Sequence, residues 1–166
     1  MKKPSKTYNY FVFNIVLLER FCGMPENGST SLTMKEKKIL RKLQISENAT
    51  LYKFAESIVK AFGFDFDHCF GFYNTFERNI TKATSSFELF VDVGEAPETD
   101  INKSVKKTQL LQPFKNIGDK MQFLFDYGDD WRFSVELTEI KVHYDAKMKP
   151  AVIETIGKGP EQYPEG

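Results

Sequence analysis

The stretch Phe123-Leu-Phe-Asp-Tyr-Gly-Asp-Asp-Trp-Arg-Phe133 crowds three carboxylates around one glycine and contains the only tryptophan of the chain. Apolar residues alternate on both sides of the glycine, which predicts a β-hairpin with strands at Met121–Tyr127 and Trp131–Ile140. The predicted connection is Gly128–Asp130, because glycine tolerates positive φ and aspartate hydrogen-bonds the neighbouring backbone. The stretch therefore predicts part of an antiparallel sheet.

The acids of this turn have two interpretations. They can shape the turn, as short polar turns of this composition commonly do. They can also project from the loop as oxygen ligands for a hard cation, or as acceptors for basic groups of a partner. We favour the structural interpretation, and keep as candidate binding residues Asp126, Tyr127, Asp129, Asp130 and Trp131.

Length and composition predict a single compact domain over residues 1–166, since 41% of the residues are hydrophobic and 14% are aromatic. Basic and acidic residues number 23 each, so no global field recruits nucleic acid or an anionic membrane. A nucleic-acid partner could bind through a local patch, but the charge does not indicate one. Cys22 and Cys69 show neither CxxC spacing nor a dense disulfide framework, which predicts a reduced, cytoplasmic protein.

The apolar run Phe11–Leu18 follows three lysines and so imitates a signal peptide. The run contains Asn14 and leads into no small-residue cleavage site, which argues against that assignment. No segment approaches the roughly 20 apolar residues of a membrane span, so we expect no membrane partner. We predict that Tyr8–Leu18 is a strand in the middle of the sheet, because it is apolar on both faces.

Two helices are predicted next. The capping-box spacing of Thr33-Met-Lys-Glu36 predicts a short helix to about Leu43, and a broad apolar stripe predicts a helix over Thr50–Phe62 that Gly63 ends. The other predicted segments are a loop at Phe21–Ser31, strands at Cys69–Tyr73, Phe87–Val93 and Ala151–Ile156, a polar connection at Asn74–Ser86, an exposed excursion at Glu95–Lys107 and a Gly/Pro tail at Gly157–Gly166. Without βαβ alternation, this order predicts an α+β fold with a mostly antiparallel β-sheet packed against two or three helices.

A second polar constellation follows the Thr50–Phe62 helix. If the segment is extended, Asp65, Asp67 and Cys69 lie on one side, while His68 lies on the other side with the phenylalanines. Carboxylates beside a histidine can form a metal site or a general acid/base pair. We favour a structural His68 bonded to the backbone and an inert, buried Cys69, and we place His143 on the surface. The candidate binding residues of this segment are Asp65, Asp67 and His68.

Nucleotide-binding and serine-hydrolase motifs are missing from the chain: it has no GxxxxGK[ST], GxGxxG, HExxH, GxSxG or EF-hand pattern. The basic stretch Lys103–Lys107 could contact phosphates, but lysines of a solvated loop more often serve solubility. Motifs therefore favour no class of enzyme.

Three stretches together resemble the plasmid pRiA4b ORF-3-like family. They are Leu51-Tyr-Lys-Phe-Ala-Glu-Ser-Ile-Val-Lys-Ala-Phe-Gly-Phe-Asp-Phe-Asp-His68, Phe125-Asp-Tyr-Gly-Asp-Asp-Trp-Arg132 and Gly157-Lys-Gly-Pro-Glu-Gln-Tyr-Pro164. Their order and distances agree with that family over most of the chain. The resemblance implies a compact α+β domain, found as a plasmid or insertion-element passenger and as a free-standing protein. It implies no established activity.

Two functions are predicted from these observations. We favour a non-catalytic interaction module without a cofactor, in which the acidic hairpin and the Asp65–His68 segment recognise a protein or nucleic-acid-handling partner. The alternative is a metal-dependent hydrolase in which carboxylates of the two segments hold Mg²⁺ or Mn²⁺ and activate water, which requires the segments to converge. A third interpretation is that the acidic turn only fixes the register of the hairpin.

Overall fold

The computed structural model describes residues 5–18 and 38–165. Its elements in chain order are β1 (Tyr8–Leu17), β2 (Leu40–Ser46), α1 (Leu51–Ala61), β3 (Phe70–Tyr73), a 3₁₀ turn (Ile80–Lys82), β4 (Ser86–Glu88), α2 (Leu89–Asp92), β5 (Asn102–Lys103), β6 (Lys120–Phe125), β7 (Trp131–His143) and β8 (Ala151–Ile156). The strands form one eight-stranded sheet in the order β5-β4-β3-β6-β7-β1-β2-β8. The predicted loop Phe21–Ser31, with Cys22, lies outside the described residues.

Strand β1 lies in the interior of the sheet, third from the β8 edge, and pairs antiparallel with β2 on one side and with β7 on the other. Val12 and Phe13 are neighbours on opposite faces, and both are fully buried. A strand buried on both faces and paired on both edges needs apolar residues throughout. The predicted central strand at Tyr8–Leu18 is confirmed.

Helix α1 covers one face of the sheet. Thr50 begins it, because the Thr50 hydroxyl accepts from the Lys53 N–H at 3.1 Å. Gly63 follows its end with φ +78°, a left-handed conformation that suits glycine. The ring of Phe54 stacks on Phe72 at 5.7 Å. This helix is confirmed as predicted, and its apolar stripe forms the core with the strands beneath it.

The predicted fold class is wrong. The sheet is mixed, because β4 and β5 pair parallel. The described residues contain two α-helices, and α2 is only four residues long, so two or three helices do not pack on a mostly antiparallel sheet. Single-domain organisation over residues 1–166 stays a prediction.

One wrong assignment is the helix at Thr33–Leu43. Residues 33–37 lie outside the described part, and residues 40–43 belong to β2. There Leu43 and Ile45 alternate onto the core face, where each is 1% exposed. Pairing with β1 and β8 provides hydrogen-bond partners for the backbone of β2 on both edges. A helix here would satisfy the same backbone groups but would bury less apolar surface, because its apolar face is thin.

Two further segments differ from expectation. The predicted strand Phe87–Val93 ends at Glu88, where α2 begins. The Asp92 carboxylate then accepts hydrogen bonds from the Ser104 hydroxyl and the Val105 N–H. These bonds hold Ser104 and Val105 in buried positions within the excursion that was predicted to be exposed, while Lys106 and Lys107 after them are exposed.

None of the helices in residues 5–18 and 38–165 combines the length and the apolar character needed to cross a bilayer.

Candidate functional site

The hairpin turn is longer than predicted. Strand β6 ends at Phe125, which pairs directly with Trp131 at the start of β7. Residues 126–130 therefore form the connection, and the predicted strand to Tyr127 with a loop at Gly128–Asp130 is wrong. The prediction assigned the positive φ to the glycine.

Two aspartates adopt that conformation instead. Asp126 has φ +63° and Asp130 has φ +59°, and Gly128 does not have a positive φ. Aspartate is among the few residues other than glycine that enter this region readily. The buried Asp126 carboxylate accepts through Oδ1 from the N–H groups of Gly128 and Asp129, each at 3.1 Å. Asp126 therefore shapes the turn, as the structural interpretation predicts.

The hairpin turn meets the loop between α1 and β3 at His68. Nδ1 of His68 lies 2.8 Å from Oδ1 of Asp67 and 3.5 Å from Oδ2 of Asp126. The backbone reinforces this contact, because the Asp126 N–H donates to the Cys69 carbonyl at 2.9 Å. The two segments singled out from the sequence thus converge.

The segment after β8 completes the cluster. The Tyr163 hydroxyl donates to Oδ2 of Asp67 at 2.8 Å and lies 3.1 Å from Nδ1 of His68. The Gln162 side chain bonds the backbone of Asp65, accepting from its N–H at 2.7 Å and donating to its carbonyl at 3.1 Å. Sequence reasoning missed both residues as site members, although both stand in the final stretch of the family resemblance.

Arg41 of β2 guides this segment toward the cluster. Its guanidinium donates to the Gly157 carbonyl at 3.0 Å and to the Ala61 carbonyl, near the end of α1, at 3.0 Å. Gly159 then passes so close to the helix end that an added Cβ would lie 3.0 Å from the Phe62 carbonyl oxygen. A close backbone approach of this kind requires glycine.

Charge is shared unevenly in this cluster. The hydrogen bond with Asp67 raises the pKa of His68, and Asp126 and Asp129 add to the rise against the cost of desolvation. Desolvation alone would raise the pKa of Asp67, but hydrogen bonds from His68 and Tyr163 lower it below its ordinary value. Desolvation and the bond to Asp67 raise the pKa of Tyr163 to about 12. The cluster thus favours a carboxylate, an imidazolium and a neutral phenol.

The other candidate residues of the hairpin turn point elsewhere. Asp130 pairs with Nε of Arg132 at 2.8 Å. Trp131 is 2% exposed, and its ring packs against Phe64 at 4.7 Å, so it belongs to the core and offers no surface for a partner. The acids of the turn are divided between two environments, because Asp126 contacts His68 whereas Asp130 pairs with Arg132.

Tyr127 joins a separate buried network. Its hydroxyl lies 2.6 Å from the Tyr73 hydroxyl, which also donates to Glu88. Burial raises the pKa of Tyr127 and of Tyr73 far above the ordinary value, so both phenols stay neutral. Gly71 makes room for them, because an added Cβ would lie 2.6 Å from the Tyr73 oxygen.

Three expectations about His68, Cys69 and His143 can be compared with their surroundings. His68 bonds to a carboxylate and a phenol, whereas a backbone partner was expected. Cys69 is half-buried, where a buried residue was expected, and this desolvation raises the pKa of its thiol. His143 was placed on the surface, but it is half-buried and its ring packs edge-on against Tyr10 at 5.1 Å.

A metal site of the predicted kind needs three or more ligating side chains gathered together. Among residues 5–18 and 38–165, no group of three or more His, Cys, Asp or Glu side chains is arranged to hold a metal ion. Both oxygens of Asp126 face groups of the protein, and Asp130 pairs with Arg132. The two segments converge on His68, but they do not gather three ligating side chains around a common position.

We expect Asp67→Asn to lower the pKa of His68, because it removes the charge that raises it. Protonated His68 stabilises the fold fully below about pH 6.5, its ordinary pKa, and this stabilisation is lost as pH rises through the raised folded-state value. NMR titration of the imidazole measures the pKa, and His68→Gln assigns its resonance. The difference in melting temperature between wild type and His68→Gln should shrink as pH rises through that pKa. A pKa for wild-type His68 at or below 6.5 would contradict the expectation.

Comparison with known proteins gives a family and a fold. A family model described as "Plasmid pRiA4b ORF-3-like protein" matches residues 29–164. A solved structure from Methanosarcina mazei Go1, MM3350, described as a protein of unknown function, aligns with a TM-score of 0.64 at 16% identity. The alignment covers 93% of this chain and 73% of that one, so the likeness concerns the fold. No curated protein matches the chain.

Proposed function

The chain belongs to the plasmid pRiA4b ORF-3-like family, and we propose that it is a non-catalytic binding module that recognises a basic surface of another protein. The recognition surface, called here the acidic face, consists of Asp65, Asp67, His68, Asp129 and Tyr163. It combines the candidate residues that lie near His68 with the tyrosine that the sequence analysis missed.

The observation that supports this proposal is the convergence of three separate segments on His68. Oxygens of Asp67, Tyr163 and Asp126 all lie within 3.5 Å of its Nδ1. Contacts between segments far apart in sequence hold side chains in fixed positions, and a fixed surface loses less entropy when it binds. The acidic face therefore suits recognition.

Its chemistry suits a cationic partner. Asp65 and Asp67 are exposed, and Tyr163 is 49% exposed. Carboxylates accept charge-assisted hydrogen bonds from arginine and lysine, and the face of a tyrosine ring attracts the same cations. Proteins that bind nucleic acid carry surfaces rich in arginine and lysine, which complement the acidic face. Nucleic acid is itself negatively charged and would be repelled by the carboxylates, so a nucleic-acid-handling protein is the better partner.

Binding is favoured over metal-dependent hydrolysis by what the carboxylates already do. Asp126 accepts two backbone hydrogen bonds, and Asp130 is paired with Arg132. A hydrolytic metal site would have to break these bonds before it could use either side chain. The exposed Asp65 carboxylate can accept from a partner without such a loss, whereas Asp67 already bonds His68 and Tyr163.

Carbodiimide cross-linking in a lysate, read by mass spectrometry, tests the proposal, since it joins carboxylates only to lysines in direct contact. We expect cross-links from Asp65, Asp67 or Asp129 to lysines in a basic segment of one partner. Affinity of the purified pair should fall about tenfold in Asp65→Asn/Asp129→Asn, and should weaken as salt is raised.

The matched control is Glu98→Gln/Asp100→Asn, which removes the same charge from two exposed positions outside the acidic face. We expect the control to bind like wild type. Equal affinity of the Asp65→Asn/Asp129→Asn variant, or cross-links confined to carboxylates outside the acidic face, would refute the proposal.

A further inference from the structure

A groove of about 470 Å³ runs between helix α1 and strand β8. Its apolar lining comes from both of those elements and from β2, and polar side chains stand along its rim. The residues that line the groove are Leu43, Lys53, Glu56, Ser57, Lys60, Ala61, Lys149, Pro150 and Val152. It shares no residue with the acidic face.

The rim of this groove is positive. Glu56 is its single carboxylate, and it pairs with Lys53 at 2.9 Å and with Lys60 at 3.8 Å. Lys149 has no ion pair within the described part of the chain. Three lysines against one glutamate leave two positive charges, on a chain whose formal net charge is zero.

One wall of the groove is a sheet edge. Strand β8 is the last strand of the sheet, and across residues 5–18 and 38–165 its only strand partner is β2. All six residues of β8 are exposed, and the apolar side chains of Val152, Ile153 and Ile156 are each 43% exposed. An edge of this length presents N–H and C=O groups to any extended segment that can pair with it.

We propose that the edge of β8 and the adjoining groove bind an extended, acidic segment of another protein as an added strand. Main-chain hydrogen bonds to β8 provide the pairing, and alternate side chains of the added strand enter the groove beside Val152. Glutamate or aspartate at those alternate positions meets Lys60 and Lys149. Apolar side chains on the other face pack on the exposed residues of β8.

The positive charge of the groove rim favours an acidic segment over a second copy of the chain as the partner of β8. Pairing β8 with β8 about a twofold axis perpendicular to the sheet keeps both grooves on the same face. Two positive rims then lie side by side, and like charges brought together weaken such a pairing. An acidic segment offsets the same lysines, so it is the complementary partner.

The test uses a blocked, soluble peptide of alternating valine and glutamate, long enough to span the six residues of β8. We expect saturable NMR shifts of the amides of residues 151–156, weakening as salt is raised. Lys60→Gln/Lys149→Gln should bind the peptide about five- to tenfold more weakly, because two exposed charge pairs are lost. The control Lys82→Gln/Lys115→Gln, which removes the same charge from two other exposed positions, should bind like wild type.

Two altered peptides separate the parts of the proposal. A peptide with lysine in place of glutamate tests charge, and one with a central proline tests strand pairing, because proline lacks the N–H that a strand donates. We expect neither to bind. Equal binding of either altered peptide, or no saturable shifts at millimolar concentrations of the valine–glutamate peptide, would overturn the proposal. So would a dimer of the free protein in sedimentation experiments whose interface is formed by β8.

Discussion

We expect Arg132→Met to lower the free energy of unfolding by about 3 kcal/mol. The Arg132 guanidinium is nearly buried beneath the connection between β3 and β4, where it donates to Asp130, to the Arg78 carbonyl and to Oε1 of Gln122 at 2.8–2.9 Å. Gln122 is fully buried, so the substitution leaves its oxygen without water or a donor. Methionine fills the space of the side chain but donates nothing.

Chemical denaturation and thermal melting both measure this loss, which corresponds to a fall in melting temperature of about 6–12 °C. Lys120→Met on the neighbouring strand is the control, because the ion pair of Lys120 among the described residues is a surface contact with Glu136 at 3.8 Å. We expect this substitution to cost less than about 0.5 kcal/mol. The double variant with Gln122→Met should lose less than the sum of the two single losses, since the residues share one network. A loss at Arg132 no larger than at Lys120 would mean that the network does not hold the connection.

The second large effect is expected at Asp126. Asp126→Ala should cost about 2–3 kcal/mol, because it leaves two backbone N–H groups without an acceptor and forces alanine into the left-handed region. Asp126→Asn should cost about 1 kcal/mol, since asparagine keeps the accepting oxygen and tolerates positive φ. Urea unfolding of the two variants measures the difference directly.

The same pair of variants tests the metal hypothesis. We expect wild type and Asp126→Asn to differ by the same amount in melting temperature with chelator, with Mg²⁺ and with Mn²⁺, because Asp126 serves the turn. A ligand that prefers the folded state must raise its stability. A rise with either cation in wild type that Asp126→Asn abolishes would instead support a metal site.

Helix α1 and strand β1 were predictable because local pattern and tertiary environment agree. The apolar stripe of Leu51–Ala61 and the capping Thr50 and Gly63 each indicate the same helix. Residues 40–43 were not predictable, because their pairing with β1 and β8 outweighs a weak local preference. The parallel pair of β4 and β5 also depends on distant contacts, among them those of the Asp92 carboxylate.

The acidic face was predictable only in part. The local sequence indicated Asp65, Asp67, His68 and Asp129, because carboxylates clustered beside a histidine or a glycine are recognisable from residue types alone. The contact of Tyr163 depends on the path of the chain after β8, which Arg41 and Gly159 guide. Spacing alone carries no such information, because Tyr163 and His68 are brought together by the fold.

The position of β1 between β2 and β7 has a consequence for synthesis on the ribosome. Tyr8 pairs with His143, so β1, the first of the described strands in chain order, cannot complete its pairing until the end of β7 has been translated. At cellular elongation rates this delay is on the order of ten seconds. Throughout that interval the edge of β1 that later pairs with β7 stays open, and an open edge of an apolar strand is prone to pair with other chains.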